Sequence, residues 1–175
     1  MQNENDNRLD NLIALPYAKN IQWIAVGHTY MHIRNKSDRQ IFGMLHGAKR
    51  TGKFFARKFL QFFNGRKSLS HTNHPNNPLI ISHLHKGNGN DGSRTIHYHF
   101  AFGNIPPCIT KQDMMTIFYE LWVNKAMQSE NSNWLEQARS DNTGWLTYAH
   151  NENKLGSLLG LDINSTHIPN TNWQN

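Results

Sequence analysis

Along residues 38–63, small or apolar side chains recur at Ile41, Leu45, Ala48, Gly52, Phe55, Phe59 and Phe62, in alternating steps of four and three. That spacing predicts one long amphipathic helix with a single inward stripe, broadened by Met44 and Phe63. Asp38 is the expected cap, and Asn64-Gly65 the expected stop. Three stretches are instead rich in β-branched and aromatic residues and read as strands: IQWIAVGHTYMHI (21–33), PLIISHLHK (78–86) and RTIHYHFAFG (94–103). GNGNDGS between the last two permits positive φ, so they should form a hairpin.

Pro106-Pro107 ends the third strand. Thr110 with Asp113 three residues on resembles a capping box, and the helix it opens should run to about Met127, with Met114, Ile117, Phe118, Leu121 and Trp122 inward. NWLEQARS (133–140) reads as a fourth strand. A last helix from about Thr143 should carry Trp145, Tyr148 and Ala149 toward Leu158. The order β-α-β-β-α-β is that of a ferredoxin-like, split βαβ fold: α+β, an antiparallel sheet with helices mainly on one face. Residues 1–20 read as an N-terminal arm, 21–160 as the domain and 161–175 as a polar C-terminal tail of little order.

Charge changes this picture at one place. The chain of 175 residues carries a net +6. Residues 1–38 hold four basic and four acidic side chains, and residues 91–175 hold five and eight. Residues 39–90 hold nine Lys or Arg and no acid. A solvated basic face is the plain alternative, but so long a stretch without one carboxylate favours a surface that meets phosphates. Lys49, Arg50, Lys53, Arg57 and Lys58 on the long helix, with Arg66 and Lys67 after it, are the candidate DNA-binding residues, and exposed aromatic rings would stack on unpaired bases.

Composition mostly excludes. Cys108 is the only cysteine, so an internal disulfide and a cysteine zinc finger are ruled out and a reducing, cytoplasmic setting is expected. The polar start is unlike a secretory signal, and no apolar run nears the roughly 20 residues that span a bilayer, so no membrane partner is expected. No GxxxxGK[ST] motif occurs, so any unwinding falls to a separate helicase.

The candidate chemistry lies in the hairpin. His97 and His99 share one face of their strand, with Tyr98 on the other. His83 and His85 share a face of the partner strand, and cross-strand neighbours lie about 4.5–5.5 Å apart at Cβ. Three imidazoles can hold a divalent metal and leave positions open for water or a phosphate oxygen. His28 and His32 could join the site or merely line the sheet, the latter being favoured, and His71 and His74 are expected to lie incidentally in a loop.

HYH followed by apolar FAF resembles the histidine–hydrophobe–histidine motif of the HUH single-strand endonucleases, which include rolling-circle replication initiators, conjugative relaxases and single-strand transposases. The resemblance implies a ferredoxin-like sheet whose central strand carries the two histidines, binding Mg²⁺ or Mn²⁺ with a third polar ligand. Where many replication-type members have a glutamate before a Lys-Gly turn, HLHKG places His85, with His83 as the substitute. Imidazole in place of carboxylate favours a softer ion such as Mn²⁺ or Zn²⁺. The resemblance also implies a nucleophilic tyrosine on a later helix, and Tyr148 in TGWLTYAHNENK is the candidate. Family members often carry a lysine three or four residues further on. Here those positions are Asn151 and Glu152, and Lys154, the nearest lysine, is about 120° round a regular helix. Tyr119, beside Phe118 and Leu121, reads as a packing residue. The implied activity is metal-dependent, sequence-specific nicking and joining of single-stranded DNA near a hairpin or inverted repeat, through a covalent 5′-phosphotyrosine, at the start of rolling-circle-type replication. The alternatives are a single-strand transposase of the same chemistry or a non-catalytic single-strand nucleic-acid-binding module.

Overall fold

Alternation along a strand gives a sheet two faces, and in this protein the two are chemically unlike. A computed structural model describes residues 15–65, 77–87, 95–139, 144–146 and 160–169. After a 3-10 turn at Leu15–Asn20 come β1 (Ile21–His32), α1 (Asp38–Asn64), β2 (Leu79–His85) and β3 (Thr95–Gly103). Next is α2 (Lys111–Tyr119), which widens into a π-helical turn at Glu120–Lys125, followed by β4 (Trp134–Gln137) and β5 (Gly160–Leu161). The sheet order is β4-β1-β3-β2-β5, with every neighbouring pair antiparallel. This is the expected α+β architecture: β1 and β2 flank β3, which puts the HYH strand at the centre.

One face is the core. Ile96, Tyr98, Phe100 and Phe102 of β3 pack with Trp23 and Ala25 of β1 and Ile80 and Leu84 of β2 beneath Leu45, Phe55 and Phe59 of α1 and Phe118 and Trp122. Phe55 packs against Phe100 at 4.8 Å between ring centroids, and Phe59 stacks on Phe102 at 4.6 Å. Burying each such ring contributes roughly 1.5–3 kcal/mol. Gly52 is a requirement of this packing. A Cβ there would lie 2.5 Å from the Tyr98 hydroxyl, so only glycine lets α1 sit this close to β3. Both helices therefore lie on one side of the sheet, and His97 and His99 face the other.

Three details differ from the sequence expectation. Ser37, not Asp38, caps α1, in a capping box with Gln40, and Asp38 sits in the first turn. Phe62 is 55% exposed, while Phe63 packs partly against the core. The cause is helical drift: a stripe of alternating fours and threes repeats every 3.5 residues and slips by about 20° per heptad against a 3.6-residue helix. Over the three heptads from Ile41, Phe62 is carried off the buried face and Phe63 turns toward it.

The third difference is the polar tail. Residues 160–169 complete the sheet along β2: His83 faces Leu161, and Ile80 and His167 exchange backbone hydrogen bonds of 2.8 and 2.7 Å. Asp162 and Ser165 are buried, and the Tyr98 hydroxyl donates to Asp162 Oδ2 at 2.7 Å. Polar residues in this segment are buried because they hydrogen-bond one another, which composition alone does not reveal.

Candidate metal centre

β-Sheet register builds the site. In β3, His97 stands opposite His28 of β1 and His85 of β2, and His99, next on the same face, stands opposite Val26 and His83. Five imidazoles thus share the face away from the helices. His85, His97 and His99 bring their ligand nitrogens within 4.8 Å of one another. Their rings lie 4.1 Å (His85–His99), 5.1 Å (His97–His99) and 5.3 Å (His85–His97) apart at the centroids. Nitrogens on a tetrahedral ion at about 2.0–2.1 Å are about 3.4 Å apart, so small rotamer changes would close the trio on a metal.

All three are buried, at 2% exposure for His85 and 4% for His97 and His99. Burial, reinforced by the neighbouring imidazoles of His85, His97, His83 and His28, holds the His99 ring far below the ordinary imidazole pKa. It is therefore neutral at pH 7, the form that ligates. His97 donates Nδ1–H to the Thr95 carbonyl at 3.1 Å, because a carbonyl can only accept. That bond fixes the tautomer and gives Nε2 the lone pair a metal needs. The chemistry of the donors fits a divalent transition ion: three imidazole nitrogens suit Zn²⁺ or Mn²⁺ better than Mg²⁺, which prefers an all-oxygen shell.

Sequence spacing leaves the third ligand open between His83 and His85, and register selects His85. His83 is equally buried but lies opposite His99 and Leu161, outside the trio. Two further neighbours border the site. His28, expected merely to line the sheet, stacks on His97 at 4.9 Å and hydrogen-bonds Thr95 Oγ1 through Nδ1 at 2.8 Å. Trp145, expected only to lie on the last helix, stacks on His99 at 5.0 Å and meets Trp134 of β4 edge-on at 5.3 Å. Residues 144–146, helical as expected, thus lie over the histidine face, and Leu146 joins Ile81 and Ala101 in a second small cluster there. His32, at the end of β1, is exposed.

The basic residues are elsewhere. Arg50, Lys53 and Arg57 are exposed and Lys49 and Lys58 partly exposed on α1, which packs on the opposite face of the sheet. The sheet itself stands between them and the histidines. Arg66, Lys67, His71, His74, Tyr148 and Lys154 lie outside the described residues. Among the described residues, no helix is long and apolar enough to cross a membrane. No protein-family model, no curated protein and no solved structure matches this chain.

Proposed function

We propose that this chain is a metal-dependent endonuclease that nicks and rejoins single-stranded DNA at a specific sequence, initiating rolling-circle-type replication. The observation that carries the reading is the His85–His97–His99 trio on adjacent strands of the β4-β1-β3-β2-β5 sheet, on the face away from both helices. His85, His97 and His99 would hold one divalent ion. When bound, that ion supplies Lewis-acid polarisation of a phosphoryl oxygen.

The chain's own residues have the remaining tasks. His97 is oriented by Thr95, and His99 is kept neutral by burial and flanked by Trp145. Tyr148, three residues after Trp145 in sequence, is the nucleophile. Its phenol oxygen forms the bond to phosphorus as the bond from phosphorus to the 3′-oxygen breaks, leaving a 5′-phosphotyrosine and a 3′-hydroxyl. The phenol proton leaves to solvent or to the 3′-oxygen. Because the phosphodiester energy is kept in the adduct, reversal by a 3′-hydroxyl rejoins strands without ATP. Lys154 is the nearest lysine that could support the tyrosine electrostatically.

The test is incubation with a pool of hairpin-bearing single-stranded oligonucleotides and Mn²⁺, followed by a denaturing gel. A covalent adduct is expected, and is expected to vanish in Tyr148→Phe and in His97→Ala. An adduct that persists in Tyr148→Phe would remove the nucleophile assignment. Metal binding with no cleavage by Mn²⁺, Mg²⁺ or Zn²⁺ would leave a non-catalytic binding module. Transfer of the cleaved end to a second, unlinked strand bearing inverted repeats would favour the transposase form of the same chemistry.

A further inference from the structure

The outward face of α1 is not explained by the fold or by the metal centre. Arg39, His46, Arg50, Lys53 and Arg57 follow one another at steps of seven, four, three and four, which keeps them on a single ridge. All five are exposed, and this ridge is opposite the face that carries Leu45, Phe55 and Phe59. Among the described residues, none of its cations pairs with a carboxylate, and no Asp or Glu occurs in sequence from 39 to 90. From Arg39 to Arg57 the ridge is about 27 Å long at 1.5 Å per residue.

Gly43 is the second, independent observation. It lies on the same ridge, one turn after Arg39, in the interior of a regular helix. Glycine there weakens a helix relative to alanine, and at Gly52 close packing against Tyr98 accounts for it. At Gly43 an added Cβ would meet nothing within 4 Å. Nothing within the described molecule needs the missing side chain. Glycine there leaves room for an external backbone to approach the helix closely.

We propose that the outer face of α1 is a docking surface for double-stranded DNA, separate from the histidine face and independent of metal. The polyanion is indicated by the acid-free row of cations. The duplex is indicated by shape: the ridge is straight and convex, and a helix about 10–12 Å across fits a major groove about 12 Å wide. An unpaired strand would need ring faces to stack on. Beside this ridge the half-exposed Phe54 ring lies under the Lys58 ammonium at 5.5 Å and the half-exposed Phe42 ring meets His46 edge-on at 4.5 Å, contacts that a base stacking on those faces would displace. Gly43 is where the sugar–phosphate rim comes closest. With the sheet between the two surfaces, one molecule would grip a duplex arm on α1 and present the opposite face to the adjoining single strand. The docking surface does not depend on the nicking reading.

The full chain is titrated by fluorescence anisotropy with a labelled 20-base-pair duplex in EDTA, across a salt series. Four cations on phosphates give a slope of log K against log salt of about −3.6. Arg50→Gln with Arg57→Gln should weaken binding at least tenfold and reduce the slope by about two. Gly43→Gln should weaken duplex binding while its thermal midpoint holds or rises, a combination that a purely structural glycine does not produce. His97→Ala should bind the duplex as the wild type does. Unchanged affinity in the double variant, or loss of binding in EDTA or in His97→Ala, would overturn the proposal. So would a single strand of equal length that competes better than the duplex. Nicking is read separately with single strands and Mn²⁺, so the two readings fail independently.

Discussion

Among single residues, the site depends on which side chains share a rung of the sheet. His85 and His83 are identical in type, burial and strand, yet only His85 stands opposite His97 and joins the trio. The difference is testable by calorimetric titration of the apo protein with Zn²⁺ or Mn²⁺. His85→Ala, His97→Ala and His99→Ala are each expected to weaken binding by more than about 100-fold, since loss of an outer-shell partner alone costs 10- to 100-fold. His83→Ala is expected to keep affinity within about tenfold. Equal losses at His83 and His85 would move the ligand set along the strand. The HYH pattern makes His97 and His99 legible as a pair from the chain alone, because a strand's period of two is local. His28 and Trp145 are not legible as neighbours of the site, because they reach it from β1 and from beyond β4, across 69 and 46 residues of sequence from His97 and His99.

Among the elements, α1 shows that periodicity locates a helix more reliably than it locates the helix's last contacts. The stripe from Ile41 to Phe59 packs as its spacing predicts, with Leu45, Ala48, Gly52, Phe55 and Phe59 buried. Phe62 has drifted into solvent. Phe59→Ala should therefore cost about 3–5 kcal/mol in denaturant unfolding, the range for a buried phenylalanine. Phe62→Ala should stay within about 0.5 kcal/mol, as an exposed site does. Similar losses at both positions would mean that the end of α1 turns Phe62 as well as Phe63 toward the sheet. The capping box at Thr110 and Asp113 is legible from four residues, since both partners are local. The cap of α1 is ambiguous by one position. Ser37 and Asp38 are both good caps by type, and the bond from Ser37 N–H to Gln40 selects the serine.

Across the whole molecule, the edge of the sheet is closed by a segment that composition marks as a tail. Asp162 accepts hydrogen bonds from Tyr98 and Ser165, and Ser82 Oγ donates to the Ser165 carbonyl at 3.0 Å. These bonds tie β5 to both β2 and the underside of α1, where the Tyr98 hydroxyl also lies 3.2 Å from the Ala48 carbonyl. Tyr98→Phe should lower unfolding free energy by about 1.5–3 kcal/mol, the range for a hydrogen bond to a charged group. The contribution also has a pH signature. Burial, and then the Asp162 carboxylate, raise the Tyr98 pKa well above its ordinary value. The folded state therefore holds this proton more tightly than the unfolded chain, whose tyrosine titrates near about pH 10. The stabilisation is full below about pH 10 and is lost as pH rises toward the raised folded pKa. Urea titrations from about pH 8 to about pH 11 check it: the gap between wild type and Tyr98→Phe should narrow at the alkaline end, and a constant gap would refute the coupling.

Residues a few positions apart are enough to establish both long helical segments, strands β1 to β4, the α+β class and the strand that carries the candidate site, because helical stripes, strand alternation and capping boxes are all local. Counting charges is likewise enough to mark an acid-free basic segment. Folding in three dimensions is what selects His85 over His83 for the trio, borders it with His28 and Trp145, and puts the basic helix on the opposite face of the sheet. It also makes the polar stretch after Gly160 part of the core. Each of these depends on register or on which side of a sheet an element packs. Those are relations between segments distant in sequence, settled by burial and hydrogen bonding over the whole chain.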